Sequence, residues 1–238
     1  MLSIIIPVYN EEKTIESMIR QFETLREPHE VIVSDTSSTD KTVIIARQFA
    51  DVTVTLEKGR EPGVSTGRNA GAAAASGDFL VFMDCGVMIP DVNAFFTTAL
   101  ARFQREPDLV GVSVRIDVDE AVCTPSDAAV SDLMNGYFWF LNKFLGVGMA
   151  TGKFQMVRTG AFQKIGGFNE HLHTAEDVDF FGRLRKIGRT AIMWDLVAFH
   201  PGRRFHARGA WRTLFLWMKN GLSYWIFKKP AHTWEPIR

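Results

Sequence analysis

Three acidic residues in this sequence stand just beyond short apolar runs. Glu11 follows Leu2-Ser-Ile-Ile-Ile6, Asp35 follows Val31-Ile-Val-Ser34, and Asp84 follows Phe79-Leu-Val-Phe-Met83. Such runs are strand signals, and open parallel sheets bind ligands where strand carboxyl ends and helix N-termini converge. Asn10 beside Glu11, and Arg68-Asn69 near the start of a helical stretch, would share that rim. Carboxylates with an arginine there suit a ligand carrying a base, a ribose and phosphates, and Asp84 could hold a hard cation bridging phosphate oxygens. Acids that merely cap helices would give the same local pattern. A second acidic cluster, Glu176-Asp177-Val178-Asp179, opens a helical pattern. Acids in a first turn complement the helix dipole, but with Phe181, Leu184 and Ile187 holding the other face, Asp177 is free to take a proton at the rim. Further along, His200 precedes Arg203 and Arg204, a group able to contact a metal or a diphosphate or simply to form a solvated turn.

The elements that must position these residues alternate. Strands are expected at Leu2 to Ile6, Val31 to Ser34, Val52 to Leu56 and Phe79 to Met83, the last apolar on both faces and hence central. Between them lie helical patterns. The first has Ile15, Met18, Ile19, Phe22 and Leu25 at helical spacing with Asn10 as its expected N-cap, and the second contains Val43, Ile44 and Phe49. After a loop over 57–66, the small-residue stretch from Arg68 to Gly77 can pack very close to a sheet. Beyond Asp84 helices are expected from Pro90 to Arg105, Pro125 to Leu145 and Glu176 to Ile187, and strands at Leu109 to Val118 and Phe154 to Val157. Two extended pieces, 190–194 and 197–199, precede a basic turn from His200 to Arg208 and a helical pattern from Trp211 to Phe227. The alternation argues one α/β domain, a mostly parallel Rossmann-like sheet with helices on both faces. Residues 1–90 and 91–200 would form its two halves, which the family resemblance set out below makes nucleotide-binding and acceptor-binding, and 201–238 a basic turn with an amphipathic helix.

Composition narrows the class. Among 238 residues, 27 basic side chains balance 27 acidic ones, so no overall field draws the molecule to nucleic acid. Cys85 and Cys123 form neither a disulfide framework nor a metal spacing, which points to a reducing, cytoplasmic setting. The apolar start lacks a basic leader and stops at Pro7, so a strand is expected there and not a signal peptide. Cys85 has no histidine nearby to activate it and suits a pocket wall better than a nucleophile. The aromatic helix between Met134 and Leu145 reads as core first and as a hydrophobic wall for an acceptor second. The C-terminal helix, with aromatics and flanking lysines, suits packing against the sheet, a peripheral position at the inner face of a membrane, or a homodimer contact.

Five blocks carry a resemblance. Ile5-Ile-Pro7-Val-Tyr-Asn10-Glu11, Val31-Ile-Val-Ser-Asp35-Thr-Ser-Ser-Thr-Asp40, Gly67-Arg68-Asn69-Ala-Gly71 and Ser76-Gly-Asp-Phe-Leu-Val-Phe-Met-Asp84 occur in the order seen in family 2 glycosyltransferases of the GT-A fold. The segment from Val157 to Glu170, followed by Glu176-Asp177, resembles that family's acceptor-side block. The resemblance implies transfer of a sugar from a nucleoside diphosphate sugar, UDP-linked, to a saccharide or lipid-linked acceptor hydroxyl, with inversion and with help from Mn2+ or Mg2+. It places Pro7, Asn10 and Glu11 in the nucleotide pocket, Asp35 at the uracil ring and Arg68 near base or diphosphate. Asp84 becomes the first aspartate of the DxD metal motif and Asp177 the base. Two positions depart from the family pattern: Thr36 replaces a paired aspartate, and Gly86 replaces the second aspartate of DxD. His200 could then supply the missing metal ligand, and Asn69, Arg203 and Arg204 further donor contacts. A binding protein of the same fold that has lost catalysis, or a nucleotidyltransferase, would share much of this pattern. The nucleotidyltransferase lacks its basic, glycine-rich loop after strand one, and a dehydrogenase lacks G-x-G-x-x-G there.

Overall fold

The computed structural model describes residues 1–56, 63–172 and 174–227, with side chains through 219. Among the described residues seven strands form one sheet in the order β3-β2-β1-β4-β6-β5-β7. They are β1 Leu2–Val8, β2 His29–Asp35, β3 Val52–Thr55, β4 Phe79–Met83, β5 Leu109–Val118, β6 Phe154–Arg158 and β7 Arg189–His200. Strand β4 is central, as its two apolar faces require. The four N-terminal strands pair in parallel, and β7 is parallel to β5. Strand β6 runs antiparallel to both β4 and β5, so the sheet is mixed on that side.

Nine helices are described: α1 Ile15–Arg20, α2 Thr42–Phe49, α3 Val64–Ala73, α4 Val92–Arg105, α5 Pro125–Phe144, α6 Thr159–Lys164, α7 Glu176–Arg185, α8 Arg203–Arg208 and α9 Ala210–Phe227. Alternation along the strands divides them between two faces. Ile4, Ile6, Val81 and Met83 point into one core with α1 and α4, whereas Ile5, Leu80 and Phe82 point into another with α6 and α7. Among the described residues no helix is long and apolar enough to cross a membrane.

Several local expectations need correction. Asn10 does not cap α1: its φ is 54°, and its side chain accepts from the Thr39 N–H at 2.8 Å in the next loop. The two extended pieces after Gly188 form one strand, broken in register where Arg115 pairs with Val197 after Val114 pairs with Met193. The basic turn coils into α8, and α6 is too short to give a periodic signal in the sequence. Of the loop expected over 57–66, residues 57–62 lie outside the described residues.

The small-residue helix behaves as its composition requires. A Cβ at Gly71 would stand 2.4 Å from Ile5 Cγ2, and one at Gly67 3.2 Å from Pro7 Cβ. Only hydrogen fits between α3 and β1. Replacing Gly71 by Ala should therefore destabilise the protein by about 1–3 kcal/mol in urea unfolding, even though Ala is the better helix former. A more stable Gly71→Ala variant would show that α3 does not need this approach.

Candidate active site

Close packing of α3 carries Arg68 beneath the strand ends, where its side chain is 1% exposed. A buried guanidinium has to be paired, and three elements supply the partners. Nη2 donates to Asp84 Oδ1 at 3.0 Å and to the Gly152 carbonyl at 2.8 Å, while Nη1 donates to Glu176 Oε1 at 3.2 Å. The Phe168 ring lies 5.1 Å from the guanidinium carbon. A Cβ at Gly152 would come within 2.9 Å of Nη2, so any larger residue there would push on the guanidinium tip. Residues expected at the two ends of the site thus share one cation.

Glu176 and Asp177 begin α7 after Ala175, a non-glycine residue at φ 59°. That backbone conformation is costly, and it turns the first acids of α7 toward Arg68. Burial, with the Asp177 charge adding to it, pushes Glu176 up to about 7. Asp177 is also raised, chiefly by burial, with Arg68 opposing. Both acids line a cavity of about 770 Å3 together with Arg68, Asp84, Lys153 and His200. Lys153 was not singled out in the sequence, because no local pattern marks it. It reaches the site because β6 runs antiparallel beside β4, and the Asp84 N–H donates to its carbonyl at 3.2 Å. Its ammonium lies 5.4 Å from the Trp217 ring centroid, and burial lowers its pKa while Asp84 opposes that shift.

The donor-side residues form a second group. Pro7 is buried in β1, and Asn10 ties the loop after β1 to that after β2. Glu11 is 7% exposed and accepts from Arg203 Nη1 at 3.1 and 3.0 Å, a pair bridging 192 positions. Arg203 also donates to the Cys85 carbonyl and occupies the space beside Gly86, whose φ of 89° suits glycine. Asp35 is buried, and its carboxylate accepts the N–H groups of Ser37 and Ser38, shaping the loop that Asn10 holds. Cys85, pushed up to about 12 chiefly by burial, stays a thiol; it packs into the core with α1 and α4 and does not line the cavity, so it is not the pocket wall expected of it.

Asn69 is not placed for a ligand. Its amide oxygen accepts from the Phe168 N–H and its nitrogen donates to the Phe168 carbonyl, both at 2.9 Å, and to Glu170. It positions the 166–170 loop under Arg68. Arg204 is half-buried near Lys153, whose ammonium feels its charge.

For a metal, Asp84 fits best: one carboxylate oxygen is engaged by Arg68, and the side chain is 41% exposed toward the cavity. His200 is less suited in this arrangement. Its Nδ1 accepts the Gly202 N–H at 3.1 Å, which leaves the proton of the neutral ring on Nε2. Burial holds that ring neutral by lowering its pKa to about 2. Among the described residues no three His, Cys, Asp or Glu side chains cluster as a cage. The residues therefore fit a cation held by one carboxylate and completed by substrate phosphates and water.

Comparison with known proteins agrees with this architecture. The model of "Glycosyl transferase family 2" matches residues 3–166, well over half of the chain. The chain belongs to that family. This glycosyltransferase is 27% identical over 213 residues to glycosyltransferase AglE of Haloferax volcanii, covering 86% of this chain and 68% of that protein. It is also 27% identical over 247 residues to a beta-monoglucosyldiacylglycerol synthase of Nostoc sp., covering 94% and 50%. Its GT-A fold superposes with a TM-score of 0.73, at 20% identity, on mannosyltransferase PcManGT from Pyrobaculum calidifontis in complex with GDP-Man and Mn2+, over 97% of this chain and 65% of that one. Glucosyl-3-phosphoglycerate synthase from Mycobacterium tuberculosis, in complex with Mn2+ and UDP-glucose, gives 0.62 at 21% identity over 94% and 78%. The glycosyltransferase thus spans between half and about three quarters of these proteins' lengths.

The acid pair gives a pH signature. With Glu176 raised from its usual 4.5 to about 7, the folded state binds more protons than the unfolded one between those values, so this group's contribution to stability falls as pH rises through that window. Glu176→Gln cannot take up that proton yet still accepts from Arg68. The variant should gain stability relative to wild type at pH 8 compared with pH 5 in thermal melts. A difference between the two proteins that is flat from pH 5 to 8 would contradict the shift.

Proposed function

We propose that this glycosyltransferase moves a sugar from a UDP-linked donor to the hydroxyl of a saccharide or lipid-linked acceptor, by single displacement with inversion. The observation that carries it is the meeting of Asp177, Arg68, Asp84 and Lys153 on one cavity, with a carboxylate of raised pKa facing cationic side chains. In the step, the acceptor oxygen forms a bond to the anomeric carbon as the bond from that carbon to the diphosphate oxygen breaks. The breaking bond's electron pair leaves with the diphosphate, and the hydroxyl proton passes to the Asp177 carboxylate. A divalent ion, Mn2+ or Mg2+, held by Asp84 would offset charge on the leaving diphosphate when bound. Lys153 is a cation on the cavity wall for that charge, whereas Arg68 stays locked to hold Asp84 and Glu176 in place and Arg203 is held by Glu11 in the resting protein. The loop shaped by Asp35 and Asn10 would receive the base.

Two outcomes follow. In calorimetry UDP should bind more tightly than CMP, Mn2+ should strengthen UDP binding, and Asp84→Asn should remove the Mn2+ effect. Equal affinity for both nucleotides would overturn the uridine assignment, and a Mn2+ effect that survives Asp84→Asn would overturn the metal assignment. Asp177→Asn keeps size but cannot take a proton, so transfer should fall by about two to four powers of ten with UDP affinity nearly unchanged. Asp179→Asn is the control in the same turn. Turnover of Asp177→Asn within a few-fold of wild type would remove Asp177 as the base.

A further inference from the structure

The cavity that holds the catalytic groups gathers its carboxylates and Lys153 at one end; elsewhere Ser131, Asn135 and Lys219 interrupt a mostly apolar lining. Away from Asp84, Lys153 and Asp177 its wall is Met134, Tyr137, Phe138 and Leu141 of α5 facing Phe215 and Met218 of α9. On α5 the lining residues Ser131, Met134, Asn135, Phe138 and Leu141 recur at i, i+3, i+4, i+7 and i+10, so one helix face is turned to the cavity for about 15 Å at 1.5 Å per residue. This stripe does not stop at the mouth. Phe215 is 72% exposed and Tyr137 43%, so apolar surface continues outward from the catalytic floor.

Resting on the transferase reading above, we infer that the acceptor is an amphiphile. Its hydroxyl lies beside Asp177, and an apolar chain runs outward between α5 and α9. A sugar acceptor is poorly served by this wall, because each hydroxyl removed from water needs a partner. Asn135 is already committed, donating to the Ile116 carbonyl and to Asp117 and accepting from the Ile116 N–H. A hydrocarbon chain needs no partners, and the wall offers it contact along its whole length.

The test uses straight-chain alkanols from hexanol to decanol, with maltose as the polar counterpart, and binding measured by calorimetry on the whole chain. Burial of each added methylene should tighten binding about fourfold, and maltose should not bind measurably. Phe215→Asp and Tyr137→Asp, both at exposed positions where folding is not at stake, should cut decanol affinity at least tenfold and leave UDP affinity unchanged. Affinity that does not grow with chain length, maltose binding tighter than decanol, or decanol affinity unaltered in both variants would overturn the inference. UDP binding in the same protein reports separately on the donor reading. A protein that binds decanol in this way but not UDP would keep the channel and refute the transferase donor, and one that binds UDP but no alkanol would do the reverse.

Discussion

The site depends on one buried cation. Arg68 is only 1% exposed, so its charge must be balanced inside the protein, and Asp84 and Glu176, far apart in sequence, do so. Removing one member of such a buried pair costs on the order of 3–5 kcal/mol, because the remaining charge is left uncompensated. The geometry of Asp84 at the end of β4 and of Glu176 at the start of α7 is therefore set by the requirement to neutralise Arg68. Its Nε is buried without a hydrogen bond among the described residues, a cost the ion pairs have to offset. Stability and positioning of the site are here the same interaction.

That cation can be reached from both sides only because of two packing features. Glycines at 67 and 71 let α3 lie directly on β1 and β2, which places Arg68 under the rim and not above it. Strand β6 then enters the sheet antiparallel next to β4, bringing the Gly152 carbonyl to Arg68 and Lys153 to the cavity. Asn69, one residue beyond Arg68, clamps Phe168 against the guanidinium from below. Small residues, a reversed strand and an amide clamp thus converge on one side chain.

Much of this was legible in the sequence, for a physical reason. Parallel strands buried on both faces are short apolar runs, and residues just after them occupy the rim by topology, so Glu11, Asp35 and Asp84 could be placed before any contact was known. What could not be read were contacts between distant segments. The Glu11 to Arg203 pair, the role of Lys153 and the Asn69 clamp depend on how β6 and α8 pack, which no local spacing encodes. Asn10 shows the limit of a propensity rule: its side chain favours caps, but its left-handed backbone serves a neighbouring loop instead.

Adjacent acids at the start of α7 have different surroundings, and the difference bears on the roles proposed for them. Glu176 is 14% exposed and held by Arg68, so its carboxylate is committed to a structural cation. Among the described residues Asp177 has no ion pair with Arg68 within 4.0 Å; its Oδ1 accepts the N–H of Val178 at 2.9 Å, while Oδ2 lies on the side of Gly152, where a Cβ would come within 3.6 Å of it. Glu176, raised to about 7, also takes up a proton near neutral pH, but doing so removes charge that balances Arg68. In the proposed mechanism Asp177 is the acid whose protonation leaves the ion pair between Glu176 and Arg68 in place. The strained residue before the helix, Ala175, is what allows both to face the same cavity while only one is bound to Arg68.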